Sequence, residues 1–200
     1  MLTRQAGLRS RDADRAATRL APALALLLLA ACGGSDSGTP ANPLTSGQAS
    51  CPRITLLAEG ADLTRFRAGA ARDLTAMTVD ARIAGFDAVC DYASRERRAL
   101  DVRVTPRFQA ERGPAAEGRA QDLPWFVALS DAGDTTVLER QSFVTRLAFA
   151  ANAPRANATG QAARLRLPIG DGVAAGNYII RVSFQLTPEE LALNRSRGPR

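Results

Sequence analysis

The chain has 200 residues, a formal charge of +6, no histidine and, among its 26 basic residues, no lysine. Without histidine there is no Ser/His or Cys/His nucleophile and the commonest general base and metal ligand are missing; without lysine, Schiff bases and Ser-Lys dyads are excluded too, which leaves an enzyme only carboxylates to work with. The charge marks no nucleic-acid surface: residues 1–31 take five Arg and two Asp from the 26 bases and 20 acids, leaving 21 against 18, an excess matched by Arg195, Arg197 and Arg200 at the C-terminus.

Leu20 to Ala31 is apolar apart from Pro22. At ~1.5 Å per residue it covers ~18 Å, short of the ~30 Å hydrocarbon core of a bilayer. Arg4, Arg9, Arg11, Arg15 and Arg19 precede it and small residues close it. These are the parts of a secretory signal, although the basic flank is longer than usual. The closing residues Leu29-Ala30-Ala31-Cys32 resemble the lipobox of bacterial lipoproteins. That resemblance implies transfer of a diacylglyceryl group to the Cys32 thiol, cleavage before Cys32, acylation of the new amino group with a palmitate-like chain, and a stable bilayer anchor, since several chains at ~0.8 kcal/mol per buried CH₂ hold where one is marginal. Gly33 stands where an inner-membrane retention signal often places Asp, so the resemblance implies the outer membrane, facing the periplasm. The competing expectation is a plain cleaved signal with an incidental cysteine.

Residues 32–50 read as a lipid-anchored tether of Gly, Ser, Thr, Pro, Asn and Ala, too poor in apolar surface to offset its ordering entropy. As a flexible chain it spans ~23 Å root-mean-square. With Cys32 lipidated, Cys51 and Cys90 remain, and in an oxidising compartment such a pair reads as a disulfide. Closing that loop is worth about 4 kcal/mol in the chain-entropy model. Two free thiols are the alternative.

The folded domain is expected over residues 51–195. Ile54 to Ala58 is a short strand candidate, and Ala61 to Ala71 is ambiguous between helix and turn. Met77, Val79, Ala81 and Ile83 then alternate with polar residues, the period of a strand with one buried face. Gly85 breaks this run. Phe86, Ala88, Cys90 and Tyr92 form the next, which points Cys90 inward. Ser94 to Arg98 is a polar turn; Leu100, Val102 and Val104 form a strand that Pro106 ends or bulges, with Phe108 continuing it at an edge. Glu111 to Asp122 reads as a loop. Trp125 to Leu129 is apolar on both faces, as a central strand is. Asp131 to Asp134 is a hairpin signal, and Thr136 to Phe149 alternates again. Ala150 to Gln161 reads as a loop, Ala163 to Leu167 as a strand, and Tyr178 to Leu186 as the clearest strand of all.

Thr187-Pro188-Glu189-Glu190 has the form of a capping box with Pro at N1, which opens a short helix before a basic tail at residues 196–200. That helix is expected to plug one end of the domain, with a docking peptide as the rival role. The pattern predicts a mostly β protein: a β-sandwich with a short C-terminal helix. Gly176-Asn177-Tyr178 resembles the approach to a late strand in immunoglobulin-like and fibronectin-like sandwiches, where a Tyr hydroxyl ties down the preceding corner. Those domains have Cys two residues after the Tyr and this chain has Ile180, so the resemblance implies the architecture and not the family. The stretch Phe184 to Arg195 resembles the end of small uncharacterised proteobacterial envelope lipoproteins, and that resemblance carries no activity.

Few side chains suggest chemistry. Trp125 is a candidate ligand contact, set against the plainer role of a core residue. Asp87 and Asp91 share a face at ~13 Å, too far apart for a retaining carboxylate pair. Gly170-Asp171-Gly172 suggests calcium only faintly. Arg95, Arg97 and Arg98 read as a solvated turn before they read as a lipid or peptidoglycan contact. The expectation is a non-enzymatic lipoprotein of the cell envelope, with no cofactor and no metal, that binds or scaffolds an envelope protein; the alternative is a small-ligand or glycan-binding module.

Overall fold

The computed structural model describes residues 49–198. The leader, Cys32, all of the tether except Ala49 and Ser50, and the last two residues of the tail lie outside the described residues. Among the described residues no helix is long and apolar enough to cross a membrane. The strands are β1 (Arg53–Leu56), β2 (Asp62–Phe66), β3 (Met77–Tyr92), β4 (Ala99–Arg112), β5 (Ala120–Asp131), β6 (Val137–Ala148), β7 (Arg155–Thr159), β8 (Ala163–Pro168) and β9 (Tyr178–Phe184), followed by helix α1 (Pro188–Arg197). The first sheet has the order β1-β9-β5-β6; the second runs β2-β3-β4, with β7 and β8 sharing the far side of β4. Ladders are antiparallel except that of β1 and β9, where Arg53 lies beside Ile179 and Leu56 beside Val182.

The two sheets form the expected β-sandwich because each strand turns alternate residues inward. On the second sheet Ala81 and Ile83 lie opposite Ala110 and Phe108, and Cys90 and Tyr92 opposite Val102 and Leu100; Leu123, Trp125, Val127, Ile180 and Val182 of the first sheet complete the same core. Trp125 is fully buried. It stacks on Phe143 at 4.5 Å between centroids and meets Phe108 of the opposite sheet at 5.8 Å. Its indole N–H donates to Thr145 Oγ1 at 2.9 Å, so the polar atom is satisfied inside the core.

Gly85 does not end a strand. β3 passes through it as a bulge: the register moves from Ile83 opposite Phe108 to Gly85 opposite Arg107, leaving Ala84 over. Pro106 lies next to this bulge in β4, and Gly160 N–H donates to its carbonyl at 2.8 Å from the gap between β7 and β8. The ladders on both sides of β4 are thus interrupted near the proline that cannot donate, by the bulge in β3 and by the gap between β7 and β8. A Cβ on Gly160 would sit 2.7 Å from Pro106 and 3.1 Å from Trp125, so only glycine fits this approach. Phe108 is accordingly a core residue of a central strand and not an edge continuation.

Two strands fall where the sequence reads as ambiguous or as loop. β2 lies within 61–71, and β7 within 150–161. β7 alternates Ala156 and Ala158 with Arg155, Asn157 and Thr159, and alanine gives little hydrophobic contrast. The loop expected over 111–122 shrinks to 113–119, because β4 and β5 extend into it. Arg112 holds that loop by donating to the carbonyls of Ala116 and Gly118 at 2.7 and 2.9 Å.

Cys51 and Cys90 form a disulfide with 5.5 Å between Cα atoms. It joins the residues just ahead of β1 to β3 across the sandwich, and Cys90 is buried as its phase implies. The Tyr178 hydroxyl donates to the Pro168 carbonyl at 2.8 Å, the corner tie expected of it. At α1 the capping box is present: Glu190 N–H donates to Thr187 Oγ1 at 3.2 Å and Thr187 N–H to Glu190 Oε2 at 2.9 Å. The helix runs on to Arg197, where Gly198 caps it at φ +74°, so the tail begins later than position 196. It packs beside β2, with Asn194 donating to the carbonyls of Glu59 and Asp62 at 2.8 Å each and Arg65 paired to Glu190 at 2.9 Å. The helix thus covers an edge strand of the second sheet.

Candidate functional site

Burial disposes of the sequence's first site residue. Trp125 has no face to offer a ligand, because the alternation that makes β5 a central strand turns it inward. The turn Gly170-Asp171-Gly172 closes on itself through paired bonds between Gly170 and Val173 at 2.8 and 2.9 Å. Asp171 and Gly172 take φ of +51° and +87°, as a tight hairpin turn requires. Among the described residues no group of three His, Cys, Asp or Glu side chains is placed to hold a metal ion. Arg95, Arg97 and Arg98 are exposed, and Arg97 lies 4.9 Å over the Tyr92 ring.

The outer face of the second sheet is where charge collects. Every second residue of β3, β4, β7 and β8 points away from the core, and many of these are Asp, Glu or Arg. Asp87 and Asp91 stand here as expected, each answered by a different arginine of β4. Arg107 binds Asp87, and Arg103 approaches Asp91 at 3.5 Å. Arg166 of β8 lies 3.7 Å from Asp101, and Arg155 of β7 lies 3.2 Å from Glu111. Arg82 donates to Gln109 Oε1 at 2.9 Å.

These bonds mask an arrangement that works against stability. Asp91 is directly opposite Asp101, and Asp80 is directly opposite Glu111. Arg103 is directly opposite Arg164. Directly opposed like charges destabilise an antiparallel pair, whereas opposite charges contribute ~0.2–1 kcal/mol. Arg103 relieves Asp91 diagonally, and Arg166 and Arg155 lie directly opposite Asp101 and Glu111 on the third strands, as exposed pairs that are each worth little.

One end of this face sinks into a depression of about 370 Å³ lined by Asp62, Asp80, Arg82, Gln109, Glu111 and Arg155. Asp80 accepts a bond from Thr64 Oγ1 at 2.8 Å. Sequence reading missed this group, since β2 and β7 supply Asp62 and Arg155 and neither strand was legible. It also missed that pairing sets the Asp80 and Glu111 carboxylates side by side. The depression is lined by side chains of both charges. Its carboxylates already have partners, and no nucleophile stands among its lining residues.

A second polar group lies at the β5–β6 hairpin. Arg181 donates to Asp134 Oδ2 through Nε and Nη2 at 3.0 and 2.6 Å and to Thr55 Oγ1 at 2.6 Å. The Ser130 hydroxyl and Arg181 hold the Asp134 carboxyl below its ordinary value of 3.8. Hydrogen bonds from the Thr135 N–H and hydroxyl do the same for Asp131. This cluster ties β1, β9 and the hairpin together and is structural. Compared with protein-family models, with curated proteins and with solved structures, the chain finds no match.

Proposed function

We propose that the chain is a lipoprotein of the bacterial envelope, anchored through acylated Cys32, whose sandwich binds or scaffolds another envelope component through the charged outer face of its second sheet and catalyses no reaction. The observation that carries this reading is the set of like-charged neighbours kept on that face, Asp91 with Asp101 and Arg103 with Arg164. Like-charged neighbours that a sheet keeps, although Arg103 and Arg166 only partly offset them, are the kind of broken local rule found at functional surfaces. The partner that fits carries both signs of charge. A bond between Cys51 and Cys90 supports an oxidising compartment, as the lipobox does, and the outer membrane facing the periplasm is the proposed location.

The test has two parts. Cys32→Ser should release the protein from the membrane fraction; retention there would refute the anchor. Crosslinking in living cells, with mass spectrometry of what the tagged protein captures, should return one abundant partner that disappears with Arg103→Glu. Capture of nonspecific neighbours alone, under conditions where a known complex is recovered, would refute the scaffold.

The depression around Asp80 and Glu111 favours a second reading, a module for a small polar ligand or glycan. Binding in a glycan and small-ligand screen that is lost with Arg82→Ala would establish it.

A further inference from the structure

The two outer faces of the sandwich differ in charge. That of the second sheet carries both signs. On the first sheet, the charged strand residues that point outward are Arg53 of β1, Arg181 of β9, Arg140 and Arg146 of β6 and, among the described residues, a single acid, Asp122 of β5. Asp122 lies 3.7 Å from Arg146, with both side chains exposed, and Asp134 reaches from the hairpin to pair with Arg181. Arg140 has no carboxylate partner among the described residues; its guanidinium lies over the Phe126 ring, 4.0 Å from the centroid. Val144 points the same way from β6, opposite Pro124, and is 64 % exposed. Apolar side chains flanked by arginines mark helices that lie in a membrane interface. The physical reason holds for a sheet face as well: the apolar groups meet the acyl boundary while the guanidinium groups reach the headgroups.

We infer that the outer face of the first sheet rests on a bilayer of anionic phospholipid, with Arg53, Arg140 and Arg146 among the headgroup phosphates and Val144 turned toward the acyl boundary. The inference rests on the Cys32 anchor proposed above. Two observations select this occupant. The charge is complementary, since guanidinium binds phosphate well and Arg140 is not offset by an acid of its own face. The tether also leads into this sheet: β1, the first strand after residues 32–50, is one of its members, and Arg53 is the first residue of β1. A tether of ~23 Å root-mean-square span holds this face beside the bilayer at high effective concentration, whereas a soluble acidic partner would be drawn from dilute solution. The second sheet then lies ~10 Å behind the first and turns its outer face to the periplasm.

The test uses the mature chain, purified from membranes in detergent. Mass spectrometry reads the state of Cys32, and the protein is reconstituted into vesicles of phosphatidylcholine and phosphatidylglycerol. A fluorophore on Val144→Cys is compared with one on Val89→Cys, an exposed valine on the outer face of the second sheet. Spin-labelled headgroups should quench the fluorophore at position 144 and leave that at position 89 bright. Arg140→Glu should weaken docking about tenfold, read as lost quenching at position 144, and Arg140→Lys should preserve it because the bilayer reads charge. Vesicles of phosphatidylcholine alone should act as Arg140→Glu does. With Cys32 acylated, equal quenching at both positions, none at position 144, quenching that Arg140→Glu leaves unchanged, or equal loss in Arg140→Lys would overturn the inference while the anchor stands. An unmodified Cys32 would overturn the anchor and the inference with it.

Discussion

On the inner face of the second sheet, Leu100, Val102 and Val104 are sealed from water against the first sheet. One residue along the same strand, Asp101 and Arg103 are exposed among charges of both signs. The backbone is identical and the pairing is shared, so the difference lies in what each face must satisfy. Inside, fit is required everywhere: Trp125 has its ring stacked and its N–H bonded, and Gly160 leaves space measured in tenths of an ångström. Outside, Asp91 is left facing Asp101. The inner face holds the fold together; the outer face is free to depart from what stability prefers, and does.

Substitutions should separate the two faces by size and by sign. Trp125→Ala removes the largest fully buried side chain and leaves Thr145 without its donor. It should cost about 3–5 kcal/mol, read as a lowered denaturant midpoint at unchanged slope. Gly160→Ala pushes a methyl against Pro106, Phe108 and Trp125 and should cost about 1–3 kcal/mol by the same measurement. Acid should weaken the hairpin cluster. Asp131 and Asp134 titrate below 3.8 in the folded chain, so what they contribute is complete above the unfolded value and is lost as pH falls through the lowered ones. Thermal midpoints taken from about pH 5 to pH 2 should fall, and less steeply in Asp134→Asn. Asp91→Asn on the outer face should change stability least, by about 0.5 kcal/mol or less, because it loses an exposed pair with Arg103 and relieves the repulsion from Asp101. A cost of several kcal/mol there would make the charged face a structural feature and erase the contrast.

What the sequence made legible follows the same contrast. Strands in which Val, Leu or Ile alternate with charge, such as Leu100 to Val104 and Tyr178 to Phe184, are readable because hydrophobic period and burial coincide. β7 is hidden because Ala156 and Ala158 barely differ from their polar neighbours. Gly85 reads as a break because a bulge is defined by the partner strand, and register between distant strands is not written locally. The disulfide and the capping box are legible because residue count and short spacing decide them. Asp87 and Asp91 can be placed on one face from period alone. Their opposition to Asp101 and their bonds to Arg103 and Arg107 depend on how β3 lies against β4, so the candidate site emerges only with the sheet. The depression needed β2 and β7 as well, the two strands with the weakest signal.

The most direct test of the charged face as a recognition surface is position-specific photo-crosslinking in living cells. A photoreactive residue at position 103, on the outer face of the second sheet, is compared with one at position 185, exposed on the other sheet's last strand connection. The account predicts one abundant adduct from position 103 that is absent from position 185. Equal adducts from both positions, or none from position 103 in a protein that is folded and disulfide-bonded, would contradict it.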